Sequence, residues 1–293
     1  DCEPLALSYQ VQTHRKKPVA NEKLLKLVGQ GRGAFVKWRA KHPKVILDLM
    51  DADLAGIDLR GANLRRADLI GVNLIGANLA TAALIGADLT RSKLCQIKLQ
   101  RADLSNALLA FADLSGADLT GANLSGADLS KTTLTGAILT EAKLDGARLS
   151  DANLQQAKLS GASLKNADLS NAQLNGVDLS SADLTESNLN AARLDETDLT
   201  DANLNRANVK SAQFHECRMG WTSLGGIDFS GAFGLDSIIH LAPNSLGIDS
   251  LLQSQGKLPE PFLRGCGVPA DWANTVVNPA QRFRFRHRVE KHE

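Results

Sequence analysis

The sequence predicts an all-β solenoid, and three observations lead to this prediction. Every fifth residue from Leu49 to Phe229 is apolar without a slip, and nearly all of these residues are leucine. Two residues before each of them stands a small or slim side chain, usually alanine. The two positions after each of them are mostly Ser, Thr, Gly or Asn, which are typical turn residues.

A period of five residues fits neither common regular element. On an α-helix, five residues advance a side chain by about 140° beyond one full turn, so the leucines would spread over every face. In a flat strand, an odd period would place alternate leucines on opposite faces. The pattern therefore requires the chain to bend once in every repeat.

Each repeat is predicted to be a short extended piece followed by a corner. The small residue and the leucine point inward, and the Asp or Asn between them, such as Asp113 or Asn123, points outward. Stacking such pieces in register buries a continuous column of leucine, as solenoids do.

The tandem A-(D/N)-L-x-x pattern resembles the pentapeptide-repeat proteins, and "ADLSGADLTGANLSGADLS" (112–130) is close to their ideal repeat. The resemblance spans residues 47–232 and implies a right-handed quadrilateral β-helix with four repeats per coil. It implies about nine coils, spaced about 4.8 Å apart.

The segment before the repeats is predicted to close the first coil. Residues 1–20 are expected to form a flexible basic segment, and residues 21–46 a capping helix. Asn21 can cap that helix, the glycines of 31–33 are expected to interrupt it, and Pro43 ends it. Its apolar stripe contains Leu24, Val28, Phe35 and Trp38.

Residues 233–272 abandon the five-residue rhythm and are predicted to form a small helical C-terminal cap. The segment 240–269, "HLAPNSLGIDSLLQSQGKLPEPFLRGCGVP", resembles the segment that joins the coils to a TIR domain in bacterial, notably cyanobacterial, pentapeptide-repeat proteins. The resemblance implies a linker or cap motif at Phe262, Leu263, Arg264, Gly265, Cys266 and Gly267.

The likeness to such proteins ends after Trp272. Residues 273–293 have neither the length nor the pattern of a TIR domain, and we expect them to be a disordered tail. No catalytic residue can therefore be carried over from the TIR domain to this chain.

The sequence offers no catalytic or metal-binding motif. It contains no Gly-rich phosphate loop, HExxH, GxSxG or zinc-spaced Cys/His cluster. "FHECR" (214–218) brings His, Glu and Cys together, but the register turns Cys217 inward and His215 and Glu216 outward. We therefore expect no cofactor, no metal, no small-molecule substrate and no enzymatic activity.

The leading hypothesis is a non-enzymatic scaffold for protein–protein interaction, which the resemblance extends to the recognition part of a TIR-type signalling or defence protein. The alternative is a DNA mimic that inhibits a topoisomerase such as gyrase, as some pentapeptide-repeat proteins do. Against mimicry, residues 49–232 carry 22 acidic side chains offset by 16 basic ones. A weaker alternative is nucleic-acid binding through the basic termini, "HRKK" (14–17) and "RFRFRHRVEKH" (282–292).

One outward pair breaks the polar rule of the repeat. Leu108 and Phe111 flank the inward Leu109, and we take them as the candidate interaction surface for a protein partner or for a terminal segment of the chain. A homodimer through a terminal coil is a further expectation. Scattered cysteines and the lack of any apolar run of about 18 residues predict a cytoplasmic protein without a membrane span.

Overall fold

The computed structural model describes residues 22–277. The helices are α1 (Glu22–Gly29), α2 (Arg32–Lys41), α3 (Ile248–Gln253), α4 (Glu260–Gly265) and α5 (Ala270–Val277), with a 3₁₀ turn at Leu235–Ser237. The strands are β1 (Arg218–Met219), β2 (Ser223–Leu224), β3 (Ile239–His240) and β4 (Ser245–Leu246). The predicted flexible segment 1–20 and Asn21 lie outside the described residues.

The repeat forms a solenoid whose coils advance every 20 residues. Parallel single-residue bridges join outward positions one coil apart, beginning with Asp48 to Asp68 and continuing to Asn203 with Ser223. Each corner is a β-turn, as where the Ala112 N–H donates to the Leu109 carbonyl at 2.9 Å. The predicted solenoid and its 20-residue phase are confirmed.

The inward column is the hydrophobic core. Every fifth residue from Leu49 to Phe229 is buried, as are nearly all of the small residues two positions earlier. Near the C-terminal end the core residues become larger, and the ring centroids of Phe214 and Phe229 are 6.4 Å apart. The register read from the sequence therefore holds across the whole repeat.

Two helices rather than one precede the first coil. Helix α1 ends at Gly29 and α2 begins at Arg32, because Gly31 adopts φ 88°, which breaks the helix between them. Arg39 of α2 is buried, and its guanidinium donates to the Asn63 carbonyl of the first coil at 3.0 Å. Arg32 donates to the neighbouring carbonyl of Arg60 at 2.6 Å.

The C-terminal segment continues the ladder before it turns into helices. Strand β3 pairs in parallel with β1, and β4 pairs in parallel with β2. Helix α5 extends to Val277, past Trp272, so the first residues of the predicted tail 273–293 are helical. The rest of that predicted tail, 278–293, lies outside the described residues. None of the described helices has the length and apolar character that a bilayer-spanning helix needs.

Candidate interaction surfaces

The outward Asp and Asn side chains hold the corners in place. Asp118 Oδ1 accepts from the backbone N–H of Thr120 at 3.0 Å and from its hydroxyl at 2.7 Å. Burial raises the pKa of Asp118, but hydrogen bonds from Thr120 and Gln100 outweigh it, so the pKa lies below its ordinary value. The same balance lowers the pKa of Asp113 and of Asp183. Such carboxylates are ionised at neutral pH, which suits a structural role and not that of a general acid.

The His, Glu and Cys of "FHECR" do not point toward a common site, because the repeat turns Cys217 inward and leaves His215 and Glu216 on the surface. Cys217 is buried, and its thiol donates to the Leu194 carbonyl at 2.9 Å. Burial raises the pKa of Cys217 to about 12, so the sulfur is a neutral thiol rather than a thiolate nucleophile or ligand. His215 and Glu216 are exposed. Within residues 22–277, His, Cys, Asp and Glu side chains form no cluster that could hold a metal ion.

The predicted linker motif packs onto the last coil. Phe262 and Leu263 of α4 are fully buried, and the Phe262 ring lies 5.4 Å from the ring of Phe229. Gly265 contacts His240, since a Cβ at this position would overlap the imidazole ring. These residues join the helical segment to the repeat.

Arg264, Cys266 and Gly267 complete the motif. Arg264 is exposed and pairs with Glu260 one helical turn earlier, at 3.5 Å. Cys266 is buried, and burial raises its pKa to about 12. Gly267 adopts φ 84°, where glycine is favoured, and ends the helix. The motif is therefore a packing element.

Leu108 and Phe111 lie on one coil of the solenoid, and both are exposed, by 45% and 53%. The Phe111 ring lies between two cations of the neighbouring coils, 5.9 Å from the Arg91 guanidinium and 5.5 Å from the Lys131 ammonium. Among the described residues from Leu49 to Gly220, these two are the large apolar side chains that are exposed.

A second apolar surface lies at the C-terminal end and was missed in the sequence. Trp221 is 64% exposed, and Ile239 and Leu241 point outward on either side of His240 in β3. We call these three residues the C-terminal patch. Trp221 occupies the same corner slot as Phe111, two residues after an inward residue, so the repeat phase could have revealed it. Ile239 and Leu241 lie beyond the repeat, where no phase identifies them.

Several solved protein structures are similar to this chain. HetL, a pentapeptide repeat protein involved in heterocyst differentiation regulation from the cyanobacterium Nostoc, is 27% identical over 75% of this chain and 97% of its own, with a TM-score of 0.32. Rfr23 from the cyanobacterium Cyanothece is 36% identical over 39% of this chain and 58% of its own, with a TM-score of 0.22. Full-length QnrB1, a plasmid-mediated fluoroquinolone resistance protein, is 17% identical over 67% of this chain and 95% of its own, with a TM-score of 0.29.

No curated protein matches the chain. The pentapeptide-repeat family model matches in eight copies, over residues 48–84 and, in overlapping segments, over residues 87–231. These matches cover more than half of the sequence and coincide with the 20-residue ladder, so the chain belongs to the pentapeptide-repeat family.

Proposed function

We propose that this protein is a non-enzymatic scaffold that binds protein partners through apolar patches on an otherwise polar rod. The proposal rests on one observation: on the repeat, exposed large apolar side chains occur at only a few of the described positions. Most outward positions carry Asp, Asn, Lys, Arg, Ser or Thr, whereas the C-terminal patch presents Trp221, Ile239 and Leu241 on two adjoining coils. Contiguous exposed apolar residues with a polar rim are typical of protein interaction sites.

The C-terminal patch is built on rigid backbone. The Trp221 N–H donates to the Pro243 carbonyl at 3.0 Å, and the Leu241 N–H donates to the Met219 carbonyl at 2.7 Å. Trp221 adopts φ 55°, the left-handed conformation that the corner residues of the repeat share. A tryptophan held in this way suits an interface, where tryptophan often supplies much of the binding energy.

We further propose that the partner is a TIR-type signalling domain. Two observations support this proposal. The sequence of residues 240–269 resembles the segment before TIR domains, and this segment packs on the last coil. The C-terminal patch lies on the same coils as this segment. A domain joined or bound there would rest on the patch, with the rod acting as the recognition part of a signalling or defence protein.

A DNA mimic is less well supported, because basic side chains are interspersed among the acidic ones along the rod. Ion pairs join successive coils, as between Arg206 and Glu186 at 3.3 Å and between Arg218 and Asp198 at 3.8 Å. A duplex mimic needs an unbroken series of negative charges, about one per 1.7 Å of axis. The basic N-terminal segment and tail of the nucleic-acid hypothesis lie outside the described residues.

A binding titration tests the proposal. A TIR domain from a bacterial pentapeptide-repeat/TIR protein is produced separately and titrated into the full chain. We expect measurable binding, weakened about tenfold or more by Trp221→Asn combined with Leu241→Ser. Phe111→Asn, far from the C-terminal patch, is the matched control and should bind as the wild type does.

Three outcomes would count against the proposal. Absence of binding by the wild type would contradict the TIR-type partner, and equal binding by the double variant would contradict the C-terminal patch. Turnover of NAD, nucleotides or esters by the purified chain would contradict the non-enzymatic role.

A further inference from the structure

The exposed pair Leu108 and Phe111 belongs to two charged columns that run along one side of the rod. The strand column is joined by successive bridges and consists of Asp88, Leu108, Asp128 and Arg148. The corner column lies three residues further along each coil and consists of Arg91, Phe111, Lys131 and Asp151. Backbone hydrogen bonds of 2.9 to 3.1 Å join the corners of successive coils. We call the two columns together the lateral strip.

The two columns complement each other coil by coil. In chain order the strand column is acidic, apolar, acidic and basic, whereas the corner column is basic, apolar, basic and acidic. Each coil of the lateral strip therefore carries either one acid and one base or two apolar side chains. Beyond the strip, the one coil that sets like charges in the two columns is the first, with Asp48 and Asp51.

This pattern is self-complementary under a two-fold axis parallel to the rod. Such an axis sets two copies side by side, pointing the same way, and places the strand column of one copy against the corner column of the other. Leu108 then meets Phe111 of the second copy, and Asp128 meets Lys131. We propose that a second copy of this chain occupies the lateral strip and forms a parallel, side-by-side homodimer.

The opposite orientation is disfavoured by the same charges. A two-fold axis perpendicular to the rod would place each column of one copy against the same column of the second copy, running in the opposite direction. Asp88 would then face Asp128 of the other copy, and Arg91 would face Lys131. Like charges placed opposite each other cost affinity and discriminate against the wrong arrangement, so the strip specifies the relative direction of the two rods.

Phe111 lies at a corner position whose left-handed backbone conformation is shared by the corners of the whole repeat. Its φ is 63°, and Arg91 and Lys131 at the neighbouring corners of the same column each have φ 58°. This conformation is costly for a bulky residue, so a smaller side chain such as Asn fits the corner better. The cations on either side fix the ring and leave about half of its surface exposed.

The ends of the rod are less suited to this contact than its side. Helices α1 and α2 cover the first coil and α3 and α4 cover the last, so a terminal-coil dimer would have to displace them. The lateral strip spans four coils spaced about 4.8 Å apart, which places the interface at the small, reversible end of the range. This inference does not rest on the proposed TIR-type partner or on the C-terminal patch.

Sedimentation equilibrium of the full chain tests the homodimer, over concentrations from about 1 to about 300 µM, where a dissociation constant in the micromolar range is resolved. We expect a reversible monomer–dimer equilibrium. Phe111→Asn should weaken the dimer about tenfold or more, since the aromatic anchor is lost. Because it also relieves backbone strain, its unfolding temperature should equal or exceed that of the wild type. Ile138→Asp, an outward apolar residue on another side of the rod, is the control and should leave the dimer intact.

Charge exchange tests the orientation. Lys131→Asp alone places acid against Asp128 of the second copy, and Asp128→Lys alone places base against Lys131, so each variant should dimerise more weakly than the wild type. An equimolar mixture of the two variants should form a heterodimer, because each new charge then meets its opposite. Both replacement residue types already occur at equivalent repeat positions, such as Asp151 and Lys143.

Several results would overturn the proposal. The wild type could remain monomeric throughout the concentration range, or Phe111→Asn could dimerise as tightly as the wild type. Failure of the mixture to restore association would exclude the parallel register. Tighter dimerisation of Lys131→Asp alone would instead indicate antiparallel rods, in which this residue faces Arg91.

Discussion

Hydroxyl side chains replace alanine at several inward positions. Whether such a residue destabilises the fold depends on whether its hydroxyl forms a hydrogen bond. Thr132 and Thr197 are buried, and their hydroxyls donate to the carbonyls of Leu129 and Leu174, each at 2.7 Å. Ser187 is equally buried, but its Oγ has no hydrogen-bond partner among the described residues. A buried hydroxyl without a partner costs free energy, whereas a bonded one is close to neutral.

Ser187→Ala is therefore expected to stabilise the protein. The substitution removes an unsatisfied polar atom and installs the residue most common at this repeat position, and the gain should be about 1 kcal/mol. Denaturant unfolding measures it. Thr197→Ala is the matched control and should be neutral or destabilising, because it removes a bonded hydroxyl. A loss of stability in Ser187→Ala would contradict the assignment.

The corner carboxylates make stability depend on pH. The folded pKa values of Asp113, Asp118 and Asp183 lie below the ordinary value of 3.8, because hydrogen bonds outweigh burial. At a pH between the folded and the ordinary pKa, the unfolded chain therefore binds more protons than the folded chain. The stability that these three carboxylates contribute is complete well above pH 3.8 and is lost as the pH falls toward their folded pKa values. We expect unfolding temperatures to drop on acidification below about pH 4. Replacing all three residues by Asn should flatten this dependence; an unchanged slope would show that other groups cause it.

At the scale of elements, the last coil is closed by side chains of the C-terminal helices. The backbone N–H of Ile227 donates to Ser250 Oγ, and that of Phe229 donates to Ser254 Oγ, both at 3.0 Å. Both serines are fully buried. In earlier coils the N–H at the Phe229 position bonds the next coil, as from Leu204 to the Ser223 carbonyl, so Ser254 stands in for an absent coil. The N–H at the Ile227 position closes the preceding corner in earlier repeats, and Ser250 Oγ bridges that corner by also donating to the Leu224 carbonyl at 2.6 Å.

Ser254→Ala should loosen the C-terminal cap. It leaves the Phe229 N–H buried without an acceptor, which costs about 1 to 3 kcal/mol. Hydrogen exchange should show faster exchange in residues 224–265 and little change near Leu124. Ser245→Ala, at an exposed position in β4, is the control. Unchanged protection around Phe229 would show that the serine does not cap the coil.

The repeat could be predicted from the sequence, and the cap only in outline. Leu49 to Phe229 follow one rule, so a single phase assigned every inward and outward side chain. Ser250 and Ser254 obey no rule, because their partners lie more than 20 residues earlier and are defined by the end of the ladder. The interruption between α1 and α2 was visible in the glycines of 31–33. Coil handedness and coil number stay predictions from the family resemblance.

For the whole molecule, the basic side chains interspersed among the acidic ones lead us to expect no duplex mimicry. We expect the purified protein to leave the supercoiling activity of DNA gyrase unchanged at concentrations where a pentapeptide-repeat gyrase inhibitor, assayed in parallel, abolishes it. The reason is that basic side chains interrupt the acidic series, and some pair with an acid in the adjacent coil, as Lys165 does with Asp183 at 3.1 Å. Inhibition comparable to that of the positive control would favour the DNA-mimic alternative.

An inward column of apolar side chains holds the fold, and the lateral strip is the proposed contact for a second copy. Two adjacent leucines separate these roles: Leu109 is fully buried and Leu108 is 45% exposed. Leu109→Asp should prevent cooperative folding, because it buries a charge in the apolar column.

The most direct measurement is sedimentation equilibrium of Leu108→Asp beside the wild type, with thermal unfolding of the same samples. Asp already occupies this column at Asp88 and Asp128, so the variant should unfold at the temperature of the wild type. It should nevertheless remain monomeric at concentrations where the wild type dimerises. A variant that dimerises like the wild type, or a wild type that never dimerises, would contradict the account.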